Sequence, residues 1–309
     1  MHSPLHSTPM ETSRKIDSTV SEIPGHLLEE IFLRLSSPQD LARTSAVCVA
    51  FRGLVTTGSF LRRFRRLHVP PLLGFLALDG FHPALPPHPS APAAHALALA
   101  ADFTFSFLPS HCQWTVQDTR DGLVLLKRKH GKHEEDLTIL PELVVCDPLH
   151  RRYVLLPPVP DDLASLVENK VFDFFGHICQ PNLIPPSDAE TDETAFRVIW
   201  MARCGINLAV FIFSSSTRLW QAAVSQASRD LFVIDEPLYF LKLHFACGCI
   251  YWVSETIKKE MLVLHTRTME FATVDFPPGA IVDAGQVAIV DAGQGRLGMF
   301  RIHDENTAV

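Results

Sequence analysis

The sequence predicts an α+β protein: a small N-terminal unit of three short helices, followed by an all-β, propeller-like domain whose last repeat stops in mid-pattern. Three observations lead there. Apolar residues near the N-terminus recur with the period of a helix. Beyond about residue 100 they fall in short runs of period two, broken by turn residues every 8–15 positions. Prolines outnumber glycines 23 to 15, which argues against a long all-helical chain, because each proline removes a backbone donor and blocks helix propagation. At 309 residues the chain is long enough for two domains.

The expected divisions are a disordered polar tail over 1–20, a helical domain over 21–68, a linker over 69–95 and a β-rich domain over 96–309. In the helical part, Leu27, Leu28, Ile31, Phe32 and Leu35 form one stripe of a 3.6-residue repeat, with Glu29, Glu30 and Arg34 opposite. Ser37-Pro38 then starts a second helix, since serine is a good N-cap, proline suits the first helical position and Asp40 follows three after the cap. A third helix begins near Ala50 with Phe51, Leu54 and Val55, and Phe60, Phe64 and Leu67 repeat at helical spacing after it. So small a unit buries little area on its own. The run 83–92 (PALPPHPSAP) reads as a breaker.

Strands are expected over 114–117, 123–128, 143–146, 153–156, 196–202, 208–213, 250–253, 261–265, 271–274, 287–290 and 297–302. A weak internal repeat runs through them: an apolar strand, several polar residues, then an aromatic. It begins at Leu143, Val210 and Leu262 and ends at Tyr153, Trp220 and Phe271. Glycine opens the preceding strand at Gly122, Gly248 and Gly295. The spacing suits one propeller blade plus loops, about four blades in all. AIVDAGQ occurs twice in tandem, at 280–286 and 288–294, and reads as a duplicated loop or edge strand.

Charge excludes some functions. Net charge is −7, so nothing global favours nucleic acid or an anionic membrane. The dense basic cluster Arg62-Arg63-Phe64-Arg65-Arg66 reads as a solvated helix face or a partner rim, and the sign-changing run 127–136 as an exposed hairpin tip. Seven cysteines without a paired spacing indicate reduced thiols. No secretory signal or membrane span is read, so a cytoplasmic or nuclear protein is expected. His244, Cys247 and Cys249 form a soft-metal cluster without a second pair, and buried strand residues are the expectation there. His111-Cys112 and His177-x-Cys179 raise a thiol–base pair, yet strand neighbours point to opposite faces. Phosphate loops and hydrolase elbows are absent from the sequence. No cofactor or metal is expected, and no enzymatic activity.

The run from Ser21 to Val55 resembles an F-box. The matching residues are Ile23-Pro24, Leu28, Glu30-Ile31, Arg34-Leu35, Leu41, Val47-Cys48 and Phe51-Arg52. Val49 stands where the family usually has Lys, and Phe51 where it usually has Trp. The remainder is similar to the F-box-associated region of a large plant family, on Asp121-Gly122-Leu123 and Val144-Val-Cys-Asp-Pro148 with Arg152-Tyr153 following. The resemblance implies a substrate-recruiting adaptor of a Skp–cullin–F-box ubiquitin ligase, with the Skp adaptor on the helices and an unidentified protein target on the β domain. The expected contact face is Pro24, Leu28, Ile31, Leu35, Leu41, Val47 and Phe51. Two other functions stay open: a binding protein whose F-box no longer docks, and a metal- or thiol-dependent hydrolase on a β scaffold.

Overall fold

A computed structural model describes residues 23–68, 71–77, 79–109, 113–129, 142–168, 179–186, 195–204, 207–227, 242–253, 260–277, 287–293 and 295–301. The expected tail over 1–20 lies outside them, as do His111, Cys112, His177 and the first AIVDAGQ copy. Two compact units divide the chain, Met1–Leu72 and Leu73–Val309.

Among the described residues the first unit holds four helices, one more than the three expected: α1 (Gly25–Phe32), α2 (Pro38–Ser45), α3 (Val49–Val55) and α4 (Gly58–Leu67). Local chemistry sets their starts. Ser37 Oγ accepts the Asp40 N–H at 3.2 Å and donates to the Asp40 carboxylate at 2.7 Å, with Pro38 following the cap. The N-caps of α3 and α4 are the Cys48 thiol and the Thr57 hydroxyl, which accept the N–H groups of Phe51 and Phe60. Leu28, Phe32, Leu33, Leu41, Val55, Phe60 and Phe64 make the core, with Phe32 and Phe51 edge to face at 4.9 Å. His68 Nε2 closes the unit by donating to the Leu33 carbonyl at 2.8 Å.

The second unit is mostly β, in several small antiparallel sheets. It is not all-β, and the stretch expected as a linker over 69–95 is structured. A hairpin of β1 (Gly74–Ala77) and β2 (Gly80–Pro83) occupies it, and helix α5 (Ala91–Ala100) begins within it. The proline run thus separates two elements and does not separate two domains. A second helix, α6 (Asp161–Glu168), sits between sheets in sequence.

Three sheets have four strands each, paired in chain order: β3 (Gln113–Arg120) to β6, with β4 (Leu123–Lys129), β5 (Leu143–Asp147) and β6 (Arg152–Leu155); β7 (Cys179–Ile184), β8 (Arg197–Cys204), β9 (Asn207–Ser214) and β10 (Leu219–Ala227); and β11 (Lys242–Ala246), β12 (Cys249–Val253), β13 (Glu260–His265) and β14 (Phe271–Asp275). A two-stranded sheet, β15 (Val287–Asp291) and β16 (Leu297–Arg301), follows. The sequence repeat falls at the same place in each four-stranded sheet: its three copies are the β5–β6, β9–β10 and β13–β14 hairpins. The second AIVDAGQ copy supplies most of β15.

Central strands of the four-stranded sheets are apolar on both faces because both faces are packed against other parts of the unit. Leu125 and Val145 join Val198, Trp200, Phe211 and Phe213 of the next sheet. Their strand neighbours Val124, Leu126 and Val144 turn the other way, toward Leu76, Phe105 and Phe107. The same alternation stacks Ile199 and Met201 on Ile250 and Trp252, and Tyr251 and Val263 on Val287 and Ile289. Among the described residues no strand pairing closes these sheets into a ring, and no helix is long and apolar enough to cross a membrane.

Candidate functional site

In the helical unit the seven expected contact residues separate by burial. Leu28 and Leu41 are core residues, 8% and 7% exposed, and offer no surface to a partner. Leu35 and Phe51 are half-buried against that core. Pro24, Ile31 and Val47 are exposed, the last two by 52% and 69%. The correction is geometric: on an eight-residue helix adjacent leucines 27 and 28 point about 100° apart, so one stripe cannot face both the core and a partner. Leu27 and Ile31, at i and i+4 on α1, face outward, Ile23 is exposed ahead of the helix, and Val49 at the start of α3 is also open. Sequence reasoning missed Ile23, Leu27 and Val49 as surface. Arg63 of the basic cluster donates to the carboxylates of Glu29 and Glu30, which makes it a tie between α4 and α1.

In the β unit, the ends of the first strands come together at one rim. The turn Asp121-Gly122 follows β3, and Cys247-Gly248 follows β11; both residues of each turn have positive φ, as a two-residue hairpin of matching twist requires. The Cys247 thiol reaches the Arg296 carbonyl at 3.6 Å, which brings in the turn between β15 and β16.

The β3 strand carries a bulge between Val116 and Asp118 that leaves Gln117 without a cross-strand partner. Before it, Val116 pairs with Leu126 and packs toward Phe105 and Phe107. After it, Asp118 pairs with Leu125 and Arg120 with Leu123, residues of the opposite face. The bulge therefore turns Asp118 and Arg120 toward the next sheet, a common use of this irregularity. There Asp118 accepts the Leu183 N–H and Arg120 Nε donates to the Leu183 carbonyl, each at 2.8 Å. Two side chains thus satisfy both backbone groups of one residue on β7. The guanidinium carbon of Arg120 also lies 4.0 Å from the ring centre of Phe245 on β11. Burial raises the Asp118 carboxyl pKa despite hydrogen bonds from Leu183 and Thr119, and burial lowers that of Arg120 against the pull of Asp118 and Asp121.

Among the described residues, the candidate ligands His244, Cys247 and Cys249 are not brought together as one metal-binding set. His244 pairs in register with Tyr251 on β12, whereas Cys249 pairs with His265 on β13, its Sγ 3.1 Å from Nδ1. Among the described residues no three His, Cys, Asp or Glu side chains are placed to hold a metal. Burial raises the Cys249 thiol pKa, which disfavours the thiolate that nucleophilic chemistry uses.

No protein-family model matches the chain. No curated protein matches it either. Among solved structures, the chain is similar to the α-L-arabinofuranosidase Arb93A from Fusarium graminearum, in complex with an iminosugar inhibitor, at 11% identity and a TM-score of 0.31. That likeness covers 52% of this chain and 46% of the other, so the chain spans about half the length of the structure it matches.

Proposed function

We propose that the chain is a substrate-recruiting adaptor of a Skp–cullin–F-box ubiquitin ligase, with the helical unit docking a Skp-type adaptor and the β unit holding a protein target. The observation that carries this reading is the exposed apolar pair Leu27 and Ile31 on α1, with Ile23, Val47 and Val49 also open, on a unit whose sequence resembles an F-box. Exposed apolar rows on a small helical unit mark partner surfaces. In support of a propeller-like target domain, each four-stranded sheet is a meander in chain order, and β3 adjoins β7 as β11 adjoins β15. The mechanism is proximity: one end is held by the ligase, the other raises the effective concentration of target lysines. In this reading the bond-making groups belong to other subunits of the ligase, and the adaptor works in the cytoplasm or nucleus.

Co-precipitation of the full chain with a Skp-type adaptor tests the docking half. Capture that is lost in Leu27→Asp and Ile31→Asp, with helical content unchanged, supports it. Absence of capture by the unaltered chain overturns it in favour of a binding protein with a non-docking helical unit, for which the 85% exposed Val49, in place of the family's Lys, is the specific motive.

A further inference from the structure

The β3 bulge holds a guanidinium in an unusual state. Arg120 is half-buried, its Nε is committed to the Leu183 carbonyl and one face of the group lies on Phe245. These two contacts fix the plane of the fork. Among the described residues, neither terminal nitrogen makes a hydrogen bond and no carboxylate forms an ion pair with the group. The nearby carboxylate of Asp118 has both oxygens engaged by backbone N–H groups, of Thr119 and Leu183, each at 2.8 Å. A partly desolvated cation with one of its donors used is costly unless something else takes the rest.

We infer that Arg120 is the anchoring point for a carboxylate of the bound target polypeptide, taken by its two terminal nitrogens at the rim beside the Asp121-Gly122 turn. A guanidinium fork matches a carboxylate in two parallel hydrogen bonds, and here it is held in place before the ligand arrives. A single negative charge fits better than a phosphate, because Asp118 and Asp121 both act on Arg120 electrostatically and would oppose a second charge. The inference rests on the β unit being the target-binding part.

The test uses the full chain and small peptide mimics. N-acetylglutamate amide presents a side-chain carboxylate, N-acetylglycine a C-terminal one, N-acetylglutamine amide neither, and N-acetylphosphoserine amide a phosphate. Phenylglyoxal modifies accessible arginines, and mass spectrometry reads the rate at each. One or both carboxylate mimics should slow modification of Arg120 saturably, the neutral one should not, and exposed Arg34 and Arg218 should be unaffected by any. Which carboxylate mimic protects tells an internal acidic residue from a chain terminus. Arg120→Lys keeps the charge but not the fork, and should weaken the protecting mimic about tenfold by ligand-observed NMR. Phe245→Leu keeps the Nε hydrogen bond but removes the stacking face, and should weaken it about threefold.

Equal protection by the neutral mimic, stronger protection by the phosphate, or no protection by any overturns the inference. Target proteins that co-purify equally with the unaltered chain and the Arg120→Lys variant also overturn it, while leaving the adaptor reading standing. Protection by carboxylates with no target protein recovered at all fails the adaptor reading and leaves the carboxylate site.

Discussion

Asp118 accepts the backbone N–H of Leu183 at 2.8 Å across 65 positions of the chain. Arg120 returns the Nε–H to the carbonyl of the same residue. Side chains of β3 thus take the part that a neighbouring backbone would take in a ladder, and two separate sheets are held in fixed register. Asp118→Ala leaves the N–H groups of Leu183 and Thr119 without this acceptor, and about 1–3 kcal/mol of stability should be lost in denaturant titration. Combined with Arg120→Ala the loss should be less than additive, because both act through Leu183. Full additivity would mean the two contacts are independent.

The same carboxylate gives a pH signature. Burial raises its folded pKa above the ordinary 3.8, so the folded state binds the proton more tightly than the unfolded chain. Its stabilising contribution is complete below pH 3.8 and is lost as pH rises through the folded value. The stability of the unaltered chain minus that of Asp118→Asn should fall over the window that opens at pH 3.8 and extends upward. A difference that rises with pH in that window contradicts the burial argument.

Deletion of Gln117 removes the bulge. Asp118 keeps Leu125 and Arg120 keeps Leu123 as cross-strand partners, so both stay on the face turned toward the next sheet. Only the local bend and twist of the bulge are lost, so the variant should lose about 0.5–3 kcal/mol in denaturant titration, without the larger cost of a stranded charge. Gln117→Ala keeps the residue count and should change stability by about 0.5 kcal/mol or less.

That bulge also marks where the sequence stops being readable. Period-two counting places residues 114, 116, 118 and 120 on one face, and only the inserted residue moves the last two to the other. Strands with runs such as Leu143–Asp147 and Cys249–Val253 were legible because both faces are buried and the run is continuously apolar. First strands were harder. Pro181 interrupts β7, tolerable because that strand pairs on one side with β8 and its other edge is free of ladder bonds. Lys242 and His244 disguise β11. In the helical unit the caps and the apolar period were plain, but an eight-residue helix gives two turns, too few to tell the core side from the outer side. Leu28 read as partner surface for that reason, and Ile23 and Leu27 were overlooked.

Leu28 and Ile31 therefore separate folding from docking. Truncating Leu28 to Ala removes packing from a core of seven buried residues and should cost about 2–5 kcal/mol. Ile31→Ala removes an exposed side chain and should change stability by about 0.5 kcal/mol or less. Thermal unfolding of both variants checks the contrast, and similar losses would mean that the outer face of α1 is covered within the chain.

The buried thiols give a test of the hydrolase alternative. Cys146 is 1% exposed on β5, and burial, with Asp147 adding to it, pushes its pKa from 9.0 to about 12. A rise of 3 units (12 minus 9) leaves about a thousandth of the usual thiolate at neutral pH, and alkylation proceeds through the thiolate. Because the folded value lies above the unfolded one, the contribution of this thiol to stability is complete below pH 9 and is lost as pH rises through about 12. Iodoacetamide at about pH 8 should leave Cys146 unlabelled in the folded chain and label it in urea. Cys249, whose thiol is likewise raised by burial, should also be slow despite its imidazole neighbour. Rapid labelling of Cys249 in the folded chain would identify an activated thiol, and with it the thiol chemistry that its environment argues against.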